Sequence, residues 1–141
     1  MKKMILLSNN VCYGPTPEIG SEIEQRLTVN SKGQVWFSGH NYNGDFIKFP
    51  LGRKVQKHIQ SETAKKLLCD VLSYFKNIGP FYATDGGCYE LTLFFDDGKS
   101  EKITASLLCK NREMKDLCDS IRKEIGINDL LLFDGNQSDG D

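Results

Sequence analysis

The chain has 141 residues, which suits one domain better than two and is long enough to bury an ordinary core without disulfide or metal staples. Hydrophobic residues make up 39% and charged residues 26%, which excludes wholesale disorder, and a formal net charge of −1 argues against a strongly basic nucleic-acid binder. The charge is uneven: Asp134, Asp139 and Asp141 fall in the last eight residues, while the rest of the chain carries 18 basic and 16 acidic side chains, a balance that favours neither nucleic acid nor membrane.

At the N-terminus the apolar run covers only Met4 to Leu7. A signal peptide needs an apolar stretch of about 7–15 residues, so this segment reads as a strand or an N-terminal arm. No stretch approaches the roughly 20 apolar residues of a membrane span. The five cysteines, Cys12, Cys69, Cys88, Cys109 and Cys118, are odd in number, and no pair has two-residue spacing. Without an export signal they read as reduced thiols in a cytoplasm, where the sequon Asn136-Gln137-Ser138 would not meet the glycosylation machinery.

A first hairpin is expected where Leu27-Thr28-Val29 runs through Asn30-Ser31-Lys32-Gly33 into Val35-Trp36-Phe37, with Leu27, Val29, Val35 and Phe37 facing inward. Residues 53–59 form a further strand with Val55, Lys57 and Ile59 on one face. The spacing of Ala64, Leu67, Leu68, Val71, Leu72 and Phe75 predicts a helix over 61–77, with Ser61 as N-cap, Glu62 and Lys76 matched to the helix dipole, and Gly79-Pro80 as the stop. A second hairpin alternates Tyr89, Leu91, Leu93 and Phe95 against Glu90, Thr92 and Phe94, turns at Asp96-Asp97-Gly98, and returns through Ile103, Ala105 and Leu107. A second helix over 112–125 carries Met114, Leu117, Cys118, Ile121 and Ile125 on its stripe, between an Asn111 cap and a Gly126 stop.

Leu130 to Phe133 is expected to be an edge strand or a docked segment. Residues 134–141 read as a mobile acidic tail after a single domain over 1–133. The order hairpin, strand, helix, hairpin, helix implies a two-layer α+β fold: an antiparallel sheet of about four to six strands with two helices packed on one face. The two hairpin–helix units share Leu-Cys-Asp at 68–70 and 117–119, which fits duplication or convergence equally.

The stretch Asp85-Gly86-Gly87-Cys88-Tyr89-Glu90-Leu91-Thr92-Leu93, followed by Asp97-Gly98-Lys99, resembles a pattern in small uncharacterised bacterial proteins. In these a hairpin–helix unit is followed by a second hairpin and helix. The resemblance covers residues 25–125. It implies an α+β fold and a bacterial origin, and it implies no activity.

Chemistry-bearing patterns are sparse. Nucleophilic catalysis needs a base near the nucleophile, and the only histidines are His40 and His58. Cys69 and Cys118 lie on helix stripes and read as small core hydrophobes. Cys12, beside Tyr13-Gly14-Pro15, is the most reactive-looking thiol. Zinc needs about four close ligands, and the nearest cysteine pair, Cys109 and Cys118, is nine residues apart. Asp96-Asp97 is turn chemistry, Asp85-Gly86-Gly87 lacks the lysine and helix of a phosphate loop, and the acidic tail lacks the glycine and glutamate of a calcium loop. No catalytic residue, metal or cofactor is assigned.

Two features point to binding. If Val35 and Phe37 face the helices, Trp36 faces the other way with Arg26, Thr28 and His40, and Phe94 points outward on the second hairpin. Outward aromatics on an open sheet face suit a partner protein. The basic span 46–61 holds Lys48, Arg53, Lys54 and Lys57 with no acid, and reads as an edge strand with a solvated face rather than a phosphate track. The expected function is a non-catalytic protein-interaction module; the alternative is a ligand-binding protein or enzyme with a pocket near loop 39–52.

Overall fold

The computed structural model describes residues 1–11, 16–82, 87–108 and 111–136; Cys12, Cys109, Asp85-Gly86 and residues 137–141 lie outside them. Eight elements follow in chain order: β1 (Lys3–Asn9), β2 (Glu22–Asn30), β3 (Gln34–Asn41), β4 (Leu51–His58), α1 (Ser61–Asn77), β5 (Cys88–Phe94), β6 (Ser100–Ser106) and α2 (Arg112–Ile125). The six strands form one sheet in the order β4-β3-β2-β1-β5-β6, and every neighbouring pair is antiparallel. The α+β expectation holds, at the upper end of the strand count.

The N-terminal segment is a strand, not an arm. β1 lies between β2 and β5, so it joins the two hairpin units. Its sequence suits that place. Met4 and Leu6 are buried on the helix side while Ile5 and Leu7 are half-buried on the other, and a run apolar on both faces belongs mid-sheet. The outer strands β4 and β6 carry Lys54, Lys57, Glu101 and Lys102, charges that discourage edge-to-edge pairing.

The inner face and the helices enclose one core, in which Leu27, Val29, Val35, Phe37, Leu91 and Leu93 meet Ala64, Leu67, Leu68 and Val71 of α1 and Met114, Cys118, Ile121 and Ile125 of α2. Each large side chain buried there contributes about 1.5–3 kcal/mol. Tyr74 joins the buried stripe, whereas Leu72 and Phe75 are partly buried at its rim. Cys69 does not join it. Its thiol is exposed while Cys118 is fully buried, so the two Leu-Cys-Asp tripeptides sit at different phases of their helices and are not equivalent.

The two helix starts also differ. Asn111 caps α2, its side chain accepting from the Met114 N–H at 2.8 Å, and Gly126 closes the helix at φ 80°. In α1 the cap is Gln60, not Ser61, and no side chain bonds the free N–H groups. The cause lies one residue earlier. The Ile59 N–H donates to the Gly33 carbonyl at 2.8 Å, which ties the chain to the β2–β3 turn and holds it extended until Gln60. Gly33 itself takes φ 93°, and a Cβ there would collide with the Ile59 carbonyl. Asn111→Ala is therefore expected to cost about 0.5–2 kcal/mol in urea unfolding, and Ser61→Ala to stay within about 0.5 kcal/mol.

The C-terminal segment is docked, not an edge strand. Leu130 to Phe133 are buried, and Asp134, expected at the start of a solvated tail, is fully buried beside Arg122. Ser8 Oγ donates to the Leu132 carbonyl at 2.8 Å, and the buried Gln25 side chain accepts from the Leu131 N–H at 2.7 Å and donates to the Asp129 carbonyl at 3.0 Å. The inward polar residues of β1 and β2 thus mark where the sheet is covered by backbone rather than by a helix.

Candidate binding face

The face opposite the helices follows from strand alternation. It carries Lys3, Ile5 and Leu7 of β1, Arg26 and Thr28 of β2, Gln34, Trp36, Ser38 and His40 of β3, and Glu90, Thr92 and Phe94 of β5. The registers arrange these in rows. Trp36 stands opposite Thr28, Thr28 opposite Ile5, and Ile5 opposite Thr92. The next row runs Ser38, Arg26, Leu7, Glu90.

Trp36 is half-buried, and two hollows flank it. The larger, about 530 Å³ and open to solvent, has Trp36 and Ile5 as its apolar wall and Lys2, Lys3, Arg26 and Lys32 as its cations. Thr28, Asn30, Ser31 and Gln34 supply the polar remainder, and no carboxylate among the described residues lines it. The smaller, about 110 Å³, lies toward β4 and adds Lys54 and Ser38; Arg26 and Thr28 line both. The Asn30 amide shapes the turn beneath: its Oδ1 accepts from the N–H groups of Lys32 and Gln34, each at 3.0 Å, and its Nδ2 donates to Gln34 Oε1 at 2.7 Å.

All five residues expected on this face are on it, but only three meet. Trp36, Thr28 and Arg26 converge at the hollows. His40 lies farther along β3, where its ring bonds internally, Nε2 with Ser38 Oγ at 3.1 Å and Nδ1 with the Phe49 carbonyl at 3.3 Å. Phe94 is three strands from Trp36, about 14 Å by interstrand spacing, and the Lys3 ammonium lies 4.7 Å from its ring centroid. Sequence reasoning missed Lys2, Lys3, Ile5 and Lys32. For Lys3 and Ile5 the signal is the alternation of residues 3–9 once that strand is placed beside β2; Lys2 precedes that strand and Lys32 lies in the β2–β3 turn, where alternation gives no signal.

The basic span 46–61 does not form a continuous cationic surface. Alternation in β4 sends Arg53 and Lys57 inward and Lys54 outward. Arg53 bonds Glu22 twice at 2.7 Å and Asp129 at 2.8 Å and stacks on Phe37, its guanidinium carbon 4.8 Å from the ring centroid. Its hydrogen bonds to Glu22 hold its pKa above the usual arginine value. Lys57 donates to the Ile125 carbonyl at the end of α2 at 2.6 Å. These cations fasten the sheet to the C-terminal segment and to α2.

Nucleophile chemistry finds little material. Burial pushes the Cys118 thiol up to about 12, so it stays protonated at neutral pH, and Cys69 and Cys88 are exposed thiols. Among the described residues no three or more His, Cys, Asp or Glu side chains group as metal ligands, and no helix is long and apolar enough to cross a membrane. No protein-family model matches the chain, and a search of curated proteins finds no match.

Proposed function

We propose that this protein is a non-catalytic binding module that takes another protein on its open sheet face. The observation that carries the reading is Trp36: a large amphipathic ring, partly exposed between two hollows on the second strand of a sheet face that no helix among the described residues covers. Buried central aromatics surrounded by polar rims dominate protein–protein affinity, and Trp is among the residues most enriched there. Ile5 and Leu7 extend the apolar surface along β1. The alternative, a ligand pocket beside loop 39–52, has weaker support, because the larger hollow sits at the other end of β3 and takes no lining residue from that loop.

Trp36→Ala is expected to weaken partner binding by at least about 2 kcal/mol, roughly 30-fold in Kd, while urea unfolding stays cooperative. Lys123→Ala, exposed on α2, is the control that leaves binding unchanged. Affinity capture from extract of the source organism, followed by titration of the captured protein, makes the comparison. Equal binding by wild type and Trp36→Ala would sink the reading.

A further inference from the structure

We propose that the segment seated against Trp36 is a short acidic stretch of the partner protein, carrying one apolar side chain that packs on the indole. This rests on the sheet-face reading above and adds the chemistry of the partner. The cations around the larger hollow come from three separate parts of the chain: Lys2 and Lys3 before and within β1, Arg26 on β2, and Lys32 in the β2–β3 turn. None of them makes an ion pair among the described residues, although ion pairs are plentiful elsewhere, as at Arg53–Glu22, Lys66–Asp70 and Lys102–Glu90. A chain of net charge −1 therefore concentrates unpaired positive charge at its one outward tryptophan. Such a hollow attracts carboxylates and speeds encounter with an acidic partner.

The cationic zone is short, and this favours an acidic peptide over a nucleic-acid strand. Glu24 lies two residues beyond Arg26 on the same face, and Glu90 stands in the Arg26 row beyond Leu7. A phosphate backbone extended across the sheet would run onto these carboxylates. It would also find one stacking ring in the hollow, because Phe94 is three strands away beneath Lys3. Single-strand binders use a continuous basic groove and several aromatic platforms. A few carboxylates around one apolar anchor match the cations, Trp36 and Ile5 better.

The probe is a short peptide of aspartate and glutamate residues around a central phenylalanine. Its controls are the same peptide with asparagine and glutamine and a uridine oligonucleotide of equal length. Trp36 is the sole tryptophan, so its emission and acrylamide quenching report the site directly. The acidic peptide is expected to shift Trp36 emission and protect it from quencher, with affinity falling as salt rises. The amide peptide is expected to bind at least tenfold more weakly. Lys2→Glu/Lys32→Glu, both exposed positions, is expected to lose at least tenfold; Lys3→Glu/Arg26→Glu is a second reversal, with circular dichroism to verify folding.

An acidic peptide that leaves Trp36 unchanged, or that binds the reversed variants as well as the wild type, overturns the proposal. Tighter binding of the oligonucleotide overturns it in favour of nucleic acid. If Trp36→Ala loses the captured partner while Lys2→Glu/Lys32→Glu retains it, the sheet-face reading stands and the acidic partner falls; if neither variant affects capture, both fall.

Discussion

Replacing Phe133 with alanine is expected to lower the unfolding free energy by about 3–5 kcal/mol. Phe133 is fully buried, with its ring centroid 5.1 Å from those of both Phe75 and Tyr89 in edge-on contacts. The loss combines the transfer of a large apolar group with a cavity that cannot easily close, because the cavity walls come from α1, β5 and the C-terminal segment. The urea midpoint should fall with an unchanged m-value. Phe46→Ala, at a side chain 51% exposed, should stay within about 0.5 kcal/mol. A loss below about 1 kcal/mol at Phe133 would mean that residues 127–136 are not held against the sheet.

Asp134→Ala is expected to cost about 3–5 kcal/mol by a different route. Arg122 is buried, and its guanidinium bonds both Asp134 oxygens, while its Nε donates to the Leu130 carbonyl at 2.9 Å and Nη1 reaches Asp119 at 3.1 Å. Burial alone would lower the Arg122 pKa, and the Asp134 carboxylate more than offsets that, leaving it raised. Removing the carboxylate leaves a buried cation without its main partner. Adding Arg122→Met removes that uncompensated charge, so the double variant should recover much of the loss. If the double variant were no more stable than Asp134→Ala, the cost would lie in something other than the stranded charge. The Asp134 carboxylate also accepts from the Asn136 N–H at 2.8 Å, so it orders the chain beyond the core as well.

The contrast between Cys69 and Cys118 shows how far local pattern reaches. Both follow a buried leucine, and both helices were legible from apolar spacing. Cys69, however, falls just off the stripe formed by Leu67, Leu68 and Val71, where a rotation of one residue moves a side chain from core to solvent. Ser61 fails as a cap for a related reason. A cap depends on where the preceding chain is tied, and that tie is the contact of Ile59 with a turn 26 residues earlier.

The candidate face divides the same way. That Trp36, Thr28 and Arg26 point away from the helices followed from alternation within one hairpin. That Lys2, Lys3 and Ile5 stand beside them depended on strand order, because β1 reaches β2 across residues 10–21 and β5 across most of the chain.

By itself, the sequence determined the helices, the two hairpins, the charged edge strand and the inward faces. Each arises from interactions among residues a few positions apart, whose period shows in the order of apolar and polar side chains. Only the tertiary structure decided that β1 is central, that residues 127–134 close the inner face, that Arg122 holds Asp134, and that unpaired cations gather around Trp36. Those outcomes depend on pairing between distant segments, and a side chain's partner across such a distance leaves no mark in the local order of residues.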